Sequence, residues 1–95
     1  MDLGLKDKLV LVTGSGSGIG KATARAYLEE GARLIVHGLT DTEVSACMAD
    51  LSPLGDVQGI AADLTKTNNA EALAKFAQAQ GDVDVLVNNV GIFSV

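Results

Sequence analysis

Ninety-five residues limit the chain to one small domain, burying roughly 60–65% of its unfolded surface. An apolar content of 47% and a mean hydropathy of +0.29 exclude a disordered chain, and with three aromatics the apolar stock is Leu, Val, Ile and Ala, the mixture of parallel strands buried under alanine-rich helices. A net charge of −5, with seven basic residues scattered through the chain, excludes a basic patch for nucleic acid or an anionic membrane, and the single Cys47 excludes an internal disulfide and offers no metal-ligand spacing.

Residues 8–12 predict a first strand, an apolar run bounded by charge and glycine. A helix over 18–30 follows, with Ile19, Ala22, Ala26 and Leu28 as its apolar side and Gly31 at the C′ position. Residues 32–37 predict a second strand centred on Leu34, Ile35 and Val36. Thr40-Asp41-Thr42-Glu43 has the form of a capping box, and Val44, Cys47, Met48 and Leu51 then fall on one helical face. Ser52-Pro53-Leu54-Gly55 stops that helix. Residues 56–62 form a third strand weakened by Gly59, and Asp63-Leu64-Thr65 is a turn. Asn68 followed by Glu71 caps a third helix with Ala72, Leu73, Phe76, Ala77 and Ala79 as apolar positions, ended by Gly81. Residues 82–87 are the fourth strand and Asn88-Asn89-Val90-Gly91 its exit turn.

Strands and helices therefore alternate at about 25 residues per unit, which predicts a parallel α/β sheet with right-handed crossovers. If the first strand lies between the second and fourth, the fourth is an apolar edge, which is an aggregation hazard. The chain on this reading is the front part of a longer domain, and self-association is expected of it alone. The start Met1-Asp2-Leu3-Gly4-Leu5-Lys6 lacks the pattern of a signal peptide, and no apolar run approaches the ~20 residues of a membrane span. A soluble, cytoplasmic chain is expected.

The stretch Val10-Leu11-Val12-Thr13-Gly14-Ser15-Gly16-Ser17-Gly18-Ile19-Gly20 carries the chemistry. Strand, glycine-rich turn and helix follow one another without a gap. Glycine admits positive φ and close approach of a ligand, while the first turn of the helix presents free N–H groups and the positive end of its dipole. Such a turn suits the pyrophosphate of a dinucleotide; the plainer alternative is a tight structural turn. A P-loop is excluded because its first glycine would be Ser15 and its final hydroxyl would be Ala22. Gly-x-Gly-x-x-Gly also fails, its third glycine falling on Ile19 or Lys21.

What fits is Thr-Gly-x-x-x-Gly-x-Gly, as Thr13, Gly14, Gly18 and Gly20. With Asp63-Leu64 after the third strand and Asn88-Asn89-Val90-Gly91 after the fourth, the chain resembles the short-chain dehydrogenase/reductase family, which has Asn-Asn-Ala-Gly at the last place. Val90 departs from that pattern, adding bulk but removing no polar group. The resemblance implies a Rossmann-type doubly wound parallel sheet, incomplete here at about four strands and three helices, with residues 1–95 as the N-terminal part of a single NAD(P)-binding domain. It places Thr13, Gly14, Ser15, Ser17, Gly18, Ile19 and Gly20 at the phosphates. Asp63 would bond the adenine amino group, Leu64 would give backbone contact, and Asn89, Val90 and Gly91 would lie against the ribose. Asp63 can also be read as a helix-entry residue, and Asn88 as support for neighbouring strands.

The cofactor is NADP or NAD. An acid at the end of the second strand favours NAD and an arginine nearby favours NADP. Relatives with Asn-Gly-Arg here use NADP, and this chain has His37-Gly38-Leu39. The missing acid favours NADP, with His37 and Thr40 as phosphate contacts, although His37 also reads as a strand-end residue. Cys47 and Met48 are expected in the core, and Lys21 and Arg25 on a solvated face.

Hydride transfer in the family depends on Tyr-x-x-x-Lys with an upstream Ser and a helix Asn. The one tyrosine, Tyr27, is followed four residues on by Gly31 and reads as a packing residue. No catalytic residue and no metal ligand is assigned. Two readings result. One is the cofactor-binding front part of an oxidoreductase whose parent interconverts an alcohol and a ketone on a small-molecule substrate. The other is a truncated, stand-alone nucleotide-binding module without catalysis.

Overall fold

The computed structural model describes residues 4–15 and 18–89. Strands β1 (Leu9–Thr13), β2 (Arg33–Gly38), β3 (Val57–Ala61) and β4 (Val85–Asn88) alternate with helices α1 (Gly18–Glu29), α2 (Asp41–Leu51) and α3 (Thr67–Gln80). The strands form one parallel sheet in the order β3-β2-β1-β4. Their carboxyl ends at Thr13, Gly38, Ala61 and Asn88 therefore share one edge, where ligands bind in open sheets of this kind.

The alternation of side chains along β1 makes two cores. Val10 and Val12 join Leu34, Val36 and Val57 beneath α1 and α2, which contribute Ala24, Leu28, Val44, Cys47 and Leu51. Leu9, Leu11 and Ile35 face the other way, onto Leu73 and Ala77 of α3. Every residue of β1 is buried, as a central strand covered on both faces requires.

Several boundaries and faces depart from the pattern. The buried stripe of α1 is Gly20, Ala24 and Leu28, four residues apart, and Ile19 is 80% exposed with Ala22 and Ala26 also outside. Close approach selected the smallest side chains, because a Cβ on Gly20 would stand 2.0 Å from the Gly14 carbonyl oxygen. Lys21 is half-buried and pairs with Asp50 of α2, so it joins two helices instead of lying on a free face. Thr40 caps α2 as expected, accepting the Glu43 N–H at 3.2 Å. The helix runs on into a 3₁₀ turn at Ser52–Leu54 before it stops.

Gly59 does not weaken β3. The strand pairs continuously with β2, and a Cβ there would come within 2.6 Å of Val44 Cγ1 and 2.7 Å of Met48 Sδ, so the glycine lets α2 lie close on the sheet. α3 starts after Lys66, which makes no side-chain cap, and Asn68 falls inside the helix instead of capping it. β4 pairs only from Val85, since Asp84 is used at its entry: its backbone N–H donates to Leu9 O at 2.8 Å and its carboxylate accepts the Leu9 N–H at 2.9 Å. β4 is the sheet edge, with Leu86 62% exposed beside an open groove of about 410 Å³ against α3. Among the described residues no helix is long and apolar enough to cross a membrane.

Candidate dinucleotide site

Among the described residues three polar side chains are buried, Thr13, Ser15 and His37, and all three meet at the turn leaving β1. Buried polar groups are retained where hydrogen bonds satisfy them, and each of these is satisfied. Gly14 takes φ +64°, bending the chain out of the strand. Ser15 follows with no exposure at all. Its N–H donates to His37 O at 2.8 Å, its hydroxyl donates to Val12 O at 2.9 Å, and that hydroxyl accepts the His37 N–H at 2.8 Å. The Cys47 thiol donates to Ser15 O at 3.2 Å, and burial pushes that thiol's pKa up, which keeps its proton in place. The Ser15 side chain is thus an internal anchor and is turned away from any ligand.

His37 is 4% exposed. Its Nδ1 accepts the Gly14 N–H at 3.0 Å and its Nε2 lies 2.7 Å from Ala62 O. An amide N–H can only donate and a carbonyl can only accept, so the ring carries its proton on Nε2. Both nitrogens are spent within the protein. The phosphate contact expected from the His37 ring is not available in this arrangement.

The open side of the turn belongs to α1. Gly18 begins the helix at φ +61°, and a Cβ placed on it would meet nothing within 4 Å. The N–H groups of Gly18, Ile19 and Gly20 lie in the first helical turn, where no intrahelical acceptor exists. No acidic residue stands in that turn among the described residues, so no carboxylate competes for the positive end of the dipole. A small cradle edged with free donors is what an anion requires.

The remaining candidates line the same edge. Thr13 Oγ1 donates to Asn88 Oδ1 at 2.9 Å and accepts the Asn89 N–H at 3.2 Å, fastening β1 to β4. Asn89 Nδ2 is buried with no hydrogen-bond partner among the described residues, an orphaned donor whose burial costs about 1–3 kcal/mol unless a ligand oxygen meets it. Asp63 Oδ1 accepts from the Thr65 hydroxyl at 2.6 Å and from the Thr65 N–H at 3.0 Å; those bonds, the hydroxyl first, hold its carboxyl below the usual range. Leu64 packs its side chain against the α3-side core, leaving its backbone at the edge. Ser17, Val90 and Gly91 lie outside the described residues.

Two residues at the edge escape sequence reasoning. Cys47 holds Ser15 from α2, although its spacing signals only a buried helical face. Glu43 reaches back from α2, its Oε2 accepting the Leu39 N–H at 3.1 Å. An acid thus stands beside the end of β2, supplied by the capping box and not by the strand.

Comparison with known proteins agrees with this geometry. A family model described as short chain dehydrogenase matches residues 8–95. The chain is 53% identical over 95 residues to the uncharacterized oxidoreductase YvrD of Bacillus subtilis (strain 168), spanning all of this chain and 36% of that protein. It superposes at a TM-score of 0.91 and 30% identity on L-sorbose reductase from Gluconobacter frateurii complexed with NADPH and L-sorbose, covering 99% of this chain and 37% of that one. The RhlG/NADP active-site complex of Pseudomonas aeruginosa gives a TM-score of 0.86 at 36% identity, covering 93% and 36%. The chain spans little more than a third of the length of each of these three proteins. With the glycine turn, the strand order and these matches in agreement, the chain belongs to the short-chain dehydrogenase family.

Proposed function

We propose that residues 1–95 are the N-terminal part of a single NAD(P)-binding domain, in a protein that interconverts an alcohol and a ketone. The observation that carries this is the open cradle at Gly18, edged by the first-turn N–H groups of α1, a turn that holds no acidic residue of its own. Gly14 and Ser15 give their N–H groups to His37, so the pyrophosphate falls to the N–H groups of Gly18, Ile19 and Gly20. Asp63 accepts the adenine amino group through the carboxylate oxygen that Thr65 leaves free, and Asn89 Nδ2 gives its orphaned proton to a ribose oxygen. The bound dinucleotide would supply a hydride at its nicotinamide ring.

NADP(H) is the proposed form. The end of β2 carries no acid of its own, and three of the similar solved structures are described with NADP or NADPH. Glu43 is the residue that limits this preference, because it brings a carboxylate beside Leu39. The sequence contains no Tyr-x-x-x-Lys, and Tyr27 of α1 packs half-buried against the core, so hydride transfer is not expected of these residues alone. Titration of the chain with NADPH and NADH, followed by ligand fluorescence, tests the reading. Wild type should bind and Gly18→Val should not, since its side chain fills the cradle; equal behaviour of the two would overturn the assignment.

A further inference from the structure

His37 makes two kinds of contact with the glycine turn. Its backbone N–H and C=O bond Ser15, and any residue but proline at this position would keep those bonds. The ring makes the other two, to Gly14 N–H and to Ala62 O, and these depend on the imidazole. The β1–β2 register ends at Val12↔Val36, and with Gly14 at φ +64° its N–H has left the ladder. Nδ1 stands where a further strand carbonyl would be needed.

We infer that His37, as the neutral ring protonated on Nε2, is a positioning residue for the phosphate turn: it draws the Gly14 N–H inward, so that the N–H groups of α1 and not that of Gly14 are left to an anion, and it couples that turn to Ala62, the residue before Asp63. The functional half rests on the cofactor reading. In that reading the two ends of the adenosine diphosphate moiety, pyrophosphate at α1 and adenine at Asp63, are set relative to one another by a single buried ring. A proton on Nδ1, in the other neutral tautomer or in the imidazolium, would face the Gly14 N–H, so the lock works in the Nε2–H form only.

Substitution separates the two ring contacts. The Oδ1 of His37→Asn replaces Nδ1 as acceptor but nothing in it reaches Ala62 O. The longer His37→Gln puts a donor near the Nε2 position and leaves Gly14 unsatisfied. His37→Leu removes both. Amide exchange at Gly14 in the free chain reads the lock without any cofactor, and long-range ring nitrogen–proton spectra read the tautomer. The wild type should show the Nε2–H form. Exchange at Gly14 should rise about tenfold in His37→Leu and His37→Gln and stay within about threefold of wild type in His37→Asn. Affinity for NADPH should fall furthest in His37→Leu, which loses both ring contacts, with His37→Asn and His37→Gln, which each keep one, between it and the wild type. A wild-type ring protonated on Nδ1, or Gly14 exchange unchanged in His37→Leu, would overturn the lock. Equal loss in Asn and Leu would overturn it too, by reducing His37 to a space-filling role. A wild type that binds neither NADPH nor NADH while showing the exchange pattern would overturn the cofactor reading and support the lock.

Discussion

Replacing Gly20 by alanine sets two effects of opposite sign against each other. In an ordinary helix interior the change stabilises by about 1 kcal/mol, since glycine is the poorer helix former. Here the new Cβ would stand 2.0 Å from Gly14 O, 2.8 Å from Gly14 C and 3.0 Å from Ser15 Cα. All three are backbone atoms, so no rotamer change relieves the contact. Opening 2.0 Å to a tolerable 3.0 Å demands a backbone shift of 1.0 Å, either of α1 or of the turn. α1 is held by Ala24 and Leu28, both buried, and the turn is held by the bonds that converge on Ser15. Neither side yields freely, which puts the cost near the upper end of the overpacking range, about 3 kcal/mol. Subtracting about 1 kcal/mol of gained helix propensity leaves a net loss of about 2 kcal/mol, or a fall in Tm of roughly 10 °C for a domain of this size.

Urea unfolding followed by circular dichroism measures that loss as a lower midpoint at unchanged slope. The same displacement moves the Ile19 and Gly20 N–H groups relative to the turn, so cofactor affinity should fall with stability, and shifts of this size have cost up to about a hundredfold elsewhere. Gly18→Ala is the control. It meets open space and faces only the penalty of φ +61°, about 1–2 kcal/mol, so its helix need not move. A Gly20→Ala variant as stable as wild type would refute the close packing of α1 on Gly14.

Two further outcomes follow from the edge residues. Glu43→Gln removes the carboxylate beside Leu39 and should raise the ratio of NADPH to NADH affinity roughly threefold, the effect of ~0.7 kcal/mol at an exposed site; an unchanged ratio in paired titrations would show that Glu43 does not face the ribose. Asp63 has its folded pKa depressed by Thr65, so its contribution to stability is present above the unfolded carboxylate pKa and is lost as pH falls through the lower folded value. Thr65→Ala should bring the Asp63 carboxyl back toward the ordinary range in an NMR titration and shrink that acid-side loss, and an Asp63 titration unmoved by the substitution would remove Thr65 as the cause.

What the sequence conveys about this site is a set of backbone demands, and the structure adds the partners that meet them. Thr13, Gly14, Gly18 and Gly20 are legible because glycine is the residue that a positive φ or a close approach selects, and spacing alone records it. The alternation of elements was readable for the same reason: helix and strand periods are local. Hydrophobicity ranks Ile19 above Gly20 and Ala24 and so points it to the buried face of α1, whereas contact with the turn ranks by size and leaves it outside. By the same rule Gly59 has the look of a defect in a strand, while in the fold it is a seat for Val44 and Met48. His37 and Glu43 lie further out of reach of pattern. The ring of His37 meets Gly14 across 23 positions and Ala62 across 25, and Glu43 reaches the end of β2 by folding back from a helix. A motif search looks along the strand end for an acid and finds none, yet one is present in space. Sequence position assigns Glu43 to helix capping, and the paired titrations of Glu43→Gln distinguish that role from one in which its carboxylate faces the cofactor.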